Sequence, residues 1–93
     1  MVRPTKPRKI LFNPRAVYFK PRAVPLSKLQ EVNLAIDELE AIRLCDLGGL
    51  NQGKAAKKMN ISQSTLGRIL ISARKKIAQA LVESKAIKIQ TEM

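Results

Sequence analysis

Residues 51–70 read NQGKAAKKMNISQSTLGRIL, and their order of small, turn-permissive and capping residues limits what this chain can fold into. The adjacent Ala55 and Ala56 keep one helix surface low, so a second helix can approach it closely. Asn60 is the residue most tolerant, after glycine, of the positive φ that a tight turn needs. Ser62 is an expected N-cap, because its hydroxyl accepts a bond from an exposed backbone N–H. The pattern predicts two helices that meet at close range.

Counted from Gln52, these residues fall where a helix-turn-helix unit of about 20 residues requires them. The first helix of the pair is predicted from Gln52 to Met59, and the second from Ser62 to about Ser84. Gly67 is the only glycine or proline within the second helix. A rise of about 1.5 Å per residue makes the second helix a rod of roughly 30 Å or more. Apolar residues on one side of this rod are predicted to be core: Leu66, Ile69, Leu70, Ala73, Ile77, Ala80 and Leu81.

A further helix is predicted before this unit, from Asp37 as its N-cap through ELEAIRLCDL to Leu47. Its apolar residues occupy much of the circumference, which indicates burial on more than one side. Gly48 and Gly49 are expected to end it by adopting a left-handed backbone. Residues 27–32 are expected to form a short helical turn.

The charge of the chain restricts its partners. Its 93 residues include 18 Lys and Arg against 7 Asp and Glu, a formal net charge of +11, which repels itself unless a polyanion is present. Nucleic acid is the first candidate and an anionic membrane surface the second. Residues 31–47 carry five acids, so this acidic middle is expected to face away from the polyanion. Arg43 is expected to pair with Glu40 and Asp46 rather than with phosphate.

The N-terminal segment holds all five prolines, within the first 25 residues, and they exclude a long helix there. Residues 1–9 are interpreted as a basic arm, followed by two short apolar runs that pack on the core as strands or extended segments. Tyr18 and Phe19, in the second run, are interpreted as anchors to the helices, with base stacking as the alternative.

The expected organisation is one small domain of mainly α fold class. Aromatic residues make up only 3% of the chain against 45% hydrophobic residues, so the core must consist of aliphatic side chains, which favours helix-on-helix packing. The predicted parts are a basic proline-rich arm and extended segment over 1–26, a helix-turn-helix domain over 27–86, and a short tail or strand over 87–93. In the tail two isoleucines alternate with lysines, which indicates a strand that pairs with residues 16–19 or frays.

No enzymatic activity, cofactor or metal site is predicted. The chain has no histidine, and no acid pair or phosphate-cradling glycine loop stands out. The single cysteine, Cys45, excludes an intramolecular disulfide and is interpreted as a packing residue. No signal peptide or membrane-spanning run is found, and we therefore expect a cytoplasmic protein without a membrane partner.

The outer side of the long helix is short and polar at its start, which predicts a surface for reading DNA bases. Gln63 and Ser64 can bond base edges, Arg68 can hold a guanine with two bonds, and Thr65 can contact a phosphate or a thymine methyl group. Gly67 lowers the stability of a helix interior by about 1 kcal/mol relative to alanine, and we expect that it is present because it lets the helix approach the bases closely.

Phosphate contacts are expected from the cap and the basic side chains around that start. They are Ser62, Lys54, Lys57, Lys58, Arg74, Lys75 and Lys76, together with Arg3, Lys6, Arg8 and Lys9 of the arm. For any single lysine, plain solubility is an equal alternative.

Longer motifs resemble known proteins. The stretch EAIRLCDLGGLNQGKAAKKMNISQSTLGRILISARKKIAQALV resembles the helix-turn-helix in the fourth region of bacterial sigma factors. The motifs YFKP, ELEAIRL and GRIL…ARKK resemble domain-of-unknown-function family 134, small prokaryotic proteins commonly assigned to DNA binding. This resemblance implies a sigma-region-four or winged-helix-like fold and a groove-reading helix that begins near Ser62. Gly53 and Lys54 depart from the family, which tends to carry acids there.

The leading hypothesis is a sequence-selective binder of double-stranded DNA that regulates transcription. One alternative is an RNA- or ribosome-binding basic protein, although the aromatic-rich sheet common in RNA modules is absent from the sequence. The other is an interaction module that docks on RNA polymerase or another part of the transcription machinery. A homodimer stays open, since one helix-turn-helix makes few base contacts.

Overall fold

Three helices and a small three-stranded sheet make up the fold, which confirms the mainly helical class. The structure is a computed structural model and describes residues 9–10, 14 and 17–91. In chain order the elements are β1 (Tyr18–Phe19), a 3-10 turn (Leu26–Lys28), β2 (Glu31–Ala35), α1 (Ile36–Ile42), a π-helical segment (Arg43–Leu47), α2 (Gln52–Met59), α3 (Gln63–Glu83) and β3 (Ala86–Gln90).

The two helices predicted from local signals, α2 and α3, are confirmed with their turn. Asn60 adopts a left-handed backbone with φ 57° and ψ 45°. The N–H of Ile61 then donates to the carbonyl of Ala56 at 3.0 Å, which closes the turn. Ser62 Oγ caps α3 by accepting from the backbone N–H of Thr65 at 3.1 Å. This unit is compatible with a helix-turn-helix.

One core cluster holds α2 and the first half of α3 against α1 and the π-helical segment. Met59 and Leu66 are fully buried. Ala55 and Ala56 are buried as well, and their small side chains let the helices approach closely. The remaining members are Ala41, Leu44, Ile69 and Leu70. The small residues before the turn therefore have the packing role that the sequence predicts.

A second cluster joins the middle of α3 to the sheet through Leu34, Ile36, Ala73 and Ile89. Of the apolar side predicted for α3, Ile77 is half-buried, and Leu81 is 74% exposed. The prediction of Leu81 as core is wrong, because the sheet covers less of the surface of α3 than the helix periodicity suggests and leaves Leu81 in solvent.

The sheet has the order β1-β3-β2, with β3 in the centre. β3 pairs antiparallel with β1, where Phe19 faces Ile87, and parallel with β2, where Val32 faces the same residue. The prediction that the tail forms a strand on segment 16–19 is therefore confirmed at Tyr18 and Phe19, while residue 16 lies outside the described residues. Segments 18–19 and 86–90 meet in one sheet.

The helical turn expected over residues 27–32 is wrong in its second half. The 3-10 turn ends at Lys28, and β2 begins at Glu31. Val32 and Leu34 are buried while Glu31 and Asn33 are exposed, which is the alternation of a half-buried strand. Five residues of alternation gave too weak a signal against the helical pattern that follows.

The start of α1 also differs from the prediction, since Ala35 and not Asp37 is its N-cap. Asp37 lies inside the first turn, and the Glu38 carboxylate accepts the N–H of Ala35 at 2.8 Å. At the other end Gly49 is left-handed with φ 76°, as expected. Gly48 is not, since its φ is −80° and its N–H donates to the carbonyl of Arg43.

Arg43 forms the expected ion pair with Glu40, with its Nε 2.7 Å from Oε1. This bond, with an opposing contribution from burial, raises the pKa of Arg43. The expected pairing with Asp46 is wrong, because the Asp46 carboxylate binds Arg74 of α3 at 2.7 and 3.1 Å. The π-helical turn places Asp46 towards α3, where the arginine can reach it.

Candidate nucleic-acid interface

The start of α3 presents short polar side chains to solvent. Gln63, Ser64 and Arg68 are exposed, as the base-reading prediction requires. Thr65 is half-buried, and its Oγ1 accepts a hydrogen bond from Ser62 Oγ at 2.8 Å. The Ser62 hydroxyl is therefore already engaged, because it accepts the bond that caps α3 and donates to Thr65.

Two glutamines cross between α2 and α3 over two glycines. A Cβ placed on Gly67 would lie 3.5 Å from Gln52 Oε1, and one placed on Gly53 would lie 3.5 Å from Gln63 Oε1. The amide of Gln52 therefore lies beside the polar start of α3. Sequence reasoning missed Gln52 as a surface residue of this site. The available signal was that each helix begins with a glutamine and that each also contains a glycine, which leaves room for the glutamine of the other helix.

Asn51 is the second missed residue. Its Oδ1 accepts from the backbone N–H of Lys54 at 2.8 Å and caps α2. Asn51 and Ser62 thus cap the two helices by the same chemistry. The signal was a good capping residue directly before a predicted helix.

An open cleft of about 430 Å³ separates Arg68 and Thr65 from the start of α1. Asp37 and Glu38 line it on the α1 side. These two acids thus lie beside the polar start of α3, and the expectation that the acidic middle faces away from a polyanion stays a prediction. Lys76 lines the same cleft and binds Glu38, so acids and a base share the wall next to Arg68.

The Glu38 carboxylate connects α1 with α3. It is buried, and it accepts from Lys76 Nζ at 2.8 Å and from the hydroxyl of Ser72. Burial pushes the pKa of Glu38 upward, but the bonds from Lys76, Ser72 and the Ala35 N–H outweigh it and bring the pKa below its ordinary value. The carboxylate stays ionised and fixes α3 relative to α1.

The basic residues predicted to contact phosphate fall into two groups. Lys76 binds Glu38 and Arg74 binds Asp46, so both have a role within the fold. The second group is exposed and forms no ion pair among the residues that the structure describes: Lys54, Lys57, Lys58 and Lys75.

The predicted basic arm lies mostly outside the described residues. Arg3, Lys6 and Arg8 belong to the part of the chain that is not described. Lys9 is described and exposed, and its backbone N–H donates to the carbonyl of Met59 at 2.9 Å. This bond brings the end of the arm to the end of α2.

Tyr18 and Phe19 anchor the N-terminal segment less deeply than the sequence indicated. Tyr18 donates its hydroxyl proton to Glu31 at 2.7 Å, which raises the pKa of the tyrosine. Phe19 is 53% exposed and lines a groove with Leu81. Cys45, by contrast, packs against the first core cluster as predicted, and burial raises the pKa of its thiol.

Within residues 9–10, 14 and 17–91, no three His, Cys, Asp or Glu side chains cluster in a way that could hold a metal ion. Over the same ranges, no helix combines the length and the apolar character needed to cross a bilayer.

The fold and this surface define a basic, mainly helical protein with a helix-turn-helix-like unit. The pattern of the family described as "Protein of unknown function DUF134" matches residues 1–92. The chain belongs to this family, so the resemblance of its motifs to domain-of-unknown-function family 134 is confirmed.

Bacterial relatives carry the name UPF0251 protein. The chain is 49% identical over 90 residues to one from Halothermothrix orenii, a match that covers 97% of this chain and 67% of the relative. It is 52% identical to one from Desulfosudis oleivorans, again over 97% of this chain, and spans 65% of that protein. It is 52% identical to one from Clostridium botulinum over 96% of this chain, and it spans 57% of that protein. The chain thus covers about two thirds or less of these proteins. No solved structure matches it.

Proposed function

We propose that this protein binds double-stranded DNA with the start of α3 and regulates transcription by selecting particular sequences. The observation that carries the proposal is the exposed polar start of α3, against which Gln52 of α2 lies and which follows a helix with three exposed lysines. That surface belongs to a chain with a formal net charge of +11.

Base recognition is assigned to the first two turns of α3. Gln63, Ser64 and Arg68 are exposed there, and Gly67 has no side chain to hold the helix away from a base pair. An arginine can donate two bonds to O6 and N7 of guanine in the major groove, while a glutamine or serine can bond other base edges. Gln52 lies against the same turn, and we add it to the proposed contacts.

Phosphate contacts are assigned to the exposed lysines of α2 and to Lys75. These lysines form no ion pair within the described residues, since the carboxylates of Glu40, Asp46 and Glu38 are bound by Arg43, Arg74 and Lys76. Each cation that neutralises a phosphate releases counterions from the DNA, so affinity falls as salt rises. We leave Arg74 and Lys76 out of this set because binding DNA would require them to abandon acids within the fold.

The lysines of α2 orient the duplex. Phosphates would be attracted on the α2 side of the unit, where Lys54, Lys57 and Lys58 lie. The backbone of one strand is therefore proposed to run along α2. This arrangement supports a helix-turn-helix of the sigma-region-four or winged-helix-like type, in which α3 enters the groove.

A salt titration tests the electrostatic part of the proposal. A fluorescently labelled random duplex is titrated with protein at low and at moderate salt. With about four phosphate contacts, affinity should fall roughly a hundredfold between about 50 mM and about 200 mM salt. An affinity that does not change would reject the proposal. Competition with a structured RNA in the same assay decides between DNA and RNA as the preferred polyanion.

Replacement of Arg68 tests sequence selection. Duplexes bound by wild-type protein and by Arg68→Ala are selected from a random pool and compared. The variant should lose preference at one base pair, with a discrimination loss of about 1–3 kcal/mol. Arg22→Ala is the matched control, because Arg22 is also exposed and follows Pro21, which lines a groove at the far end of α3. The same selected sequence from all three proteins would remove Arg68 from recognition.

A further inference from the structure

Ile71 is an exposed apolar side chain on the polar side of α3. It is 69% exposed, whereas its neighbours Ile69 and Leu70 are buried. Within residues 63–76, all of which the structure describes, it is the only large apolar side chain in solvent. Isoleucine has a lower helix propensity than alanine or lysine, so a position that only faced water would gain nothing from it. Neither helix formation nor core packing accounts for Ile71.

The side of α3 that carries Ile71 is also the side of the proposed base contacts. At about 100° per residue, Ile71 lies in one row with Ser64, Arg68 and Lys75, at offsets of four, three and four residues. All four side chains are exposed. Ile71 therefore has a cation one turn before it and another one turn after it.

Acidic side chains do not offset these cations. Residues 63–82 contain no acid. The acids that bind this part of α3 from other elements, Glu38 and Asp46, pair with Lys76 and Arg74. A cationic surface attracts a polyanion and repels a second copy of this basic chain. The group that covers Ile71 is therefore sought on a nucleic acid.

Thymine is the base whose edge suits an isoleucine. Its C5-methyl group is the apolar group that the four bases present in the major groove, next to hydrogen-bond donors and acceptors. An isoleucine packed on a donor or acceptor would leave that group without a partner, which is unfavourable. The side chain of isoleucine is also stiff at χ1 in a helix, so it loses little conformational freedom when a methyl group packs on it.

The spacing along α3 limits where that thymine lies. Three residues separate Arg68 from Ile71, which corresponds to about 4.5 Å along the helix axis. Successive bases of one strand are about 3.4 Å apart. With α3 along the groove, the two side chains reach bases that are one or two steps apart. Gly67 lies one turn before Ile71 and adds no side chain that would hold this part of the helix away.

We propose that Ile71 selects thymine by packing on its C5-methyl group, within two base pairs of the base that Arg68 contacts. This inference rests on the proposed binding of DNA by α3, and it names one base of the target. Removal of a single methyl group from an apolar contact weakens binding about fourfold.

Replacement of thymine by deoxyuridine tests the contact, because deoxyuridine keeps the base pair and lacks only the C5-methyl group. Each thymine of the duplex selected by the wild-type protein is replaced in turn. One replacement, within two base pairs of the position where Arg68→Ala loses its preference, should weaken wild-type binding about fourfold. Ile71→Ala should bind the thymine and deoxyuridine duplexes equally, and Ile71→Val should keep most of the difference. A change in duplex shape alone would weaken all of these proteins to the same extent.

Val82→Ala is the matched control. Val82 is also β-branched, is 83% exposed and lies on the same side of α3 about three turns further on. This variant should keep the fourfold difference. Ile71 belongs to neither core cluster and alanine favours helix, so Ile71→Ala should fold, which circular dichroism checks.

The outcomes separate this inference from the proposed function. If the wild type selects a sequence that has no thymine near the Arg68 position, the role of Ile71 is rejected while DNA binding stands. The same holds if Ile71→Ala retains the full deoxyuridine effect, or if Val82→Ala also loses it. A wild-type protein that binds no duplex rejects both proposals.

Discussion

Glu38 Oε1 lies 2.8 Å from Lys76 Nζ, and this bond joins the first turn of α1 to the middle of α3. The glutamate is only 5% exposed, and its two oxygens also accept from Ser72 and from the backbone of Ala35. A buried carboxylate with three donors is satisfied when it is ionised and loses those bonds when it takes up a proton. The ionised carboxylate thus adds to the two core clusters in holding α3 against α1.

The first prediction concerns acid stability. The pKa of Glu38 is lowered in the folded chain, because the bonds it accepts outweigh the effect of burial. A carboxyl group of this kind contributes stability that is complete above its unfolded pKa, about 4.3 for glutamate, and is lost as pH falls through the lower folded value. The free energy of unfolding from urea denaturation should therefore fall between about pH 5 and pH 3. Glu38→Gln should flatten that dependence.

Asp46→Asn is the control for this measurement. The hydrogen bond from Arg74 lowers the pKa of Asp46 as well, in spite of some desolvation. The Asp46 side chain is 38% exposed, however, and solvent screens its interaction with Arg74. Asp46→Asn should change the pH profile less than Glu38→Gln. An equal effect of the two variants would show that acid stability does not come from the buried carboxylate.

The second prediction concerns backbone strain at the end of α3. Ser84 adopts φ 56° and ψ 45°, a left-handed conformation in which glycine has no Cβ to crowd the carbonyl. Ser84→Gly should raise the free energy of unfolding by about 1 kcal/mol. Asn60→Gly should raise it less, because asparagine tolerates this region better than serine. Ser27→Gly, outside the left-handed region, should instead lower stability through the greater freedom of the unfolded chain. Equal changes at positions 84 and 27 would contradict the strain at Ser84.

The parts of the fold that the sequence predicted are those with local causes. The bounds of α2, the left-handed Asn60 and the Ser62 cap depend on residues within one turn of each other, so a single stretch contains the whole signal. The exposed polar start of α3 follows from the same stretch by helix periodicity.

The features that sequence reasoning missed depend on contacts between distant segments. Asp46 binds Arg74, 28 positions away, and Glu38 binds Lys76, 38 positions away, so neither pairing follows from helical spacing. The exposure of Leu81 depends on how far the sheet extends over α3. The cleft between Arg68 and the start of α1 likewise exists only when α1 and α3 are packed together.

The third prediction concerns phosphate contacts. Lys57 is exposed on the last turn of α2 and forms no ion pair within the described residues. If it neutralises one phosphate, Lys57→Ala should reduce the slope of log affinity against log salt by about 0.9, with a similar loss on every duplex sequence. Lys88→Ala is the matched control, since Lys88 is also exposed but lies on β3. A slope that changes equally in both variants would assign the effect to net charge and not to position.

The last prediction separates the stability of α3 from its use as a reading surface. Gly67 lies inside α3, and a Cβ there would meet Gln52 Oε1 at 3.5 Å, an ordinary contact. Gly67→Ala should therefore stabilise the fold by up to about 1 kcal/mol through helix propensity. The same methyl group would stand between the helix and a base pair, so affinity for the selected duplex should fall at least about tenfold, or about 1.4 kcal/mol. Urea denaturation and a duplex titration measure the two effects. Ser84→Gly provides a comparably stabilised protein with an unchanged start of α3, and it should bind like the wild type. Full affinity in Gly67→Ala would mean that no base approaches this glycine and would move the contact surface elsewhere on α3.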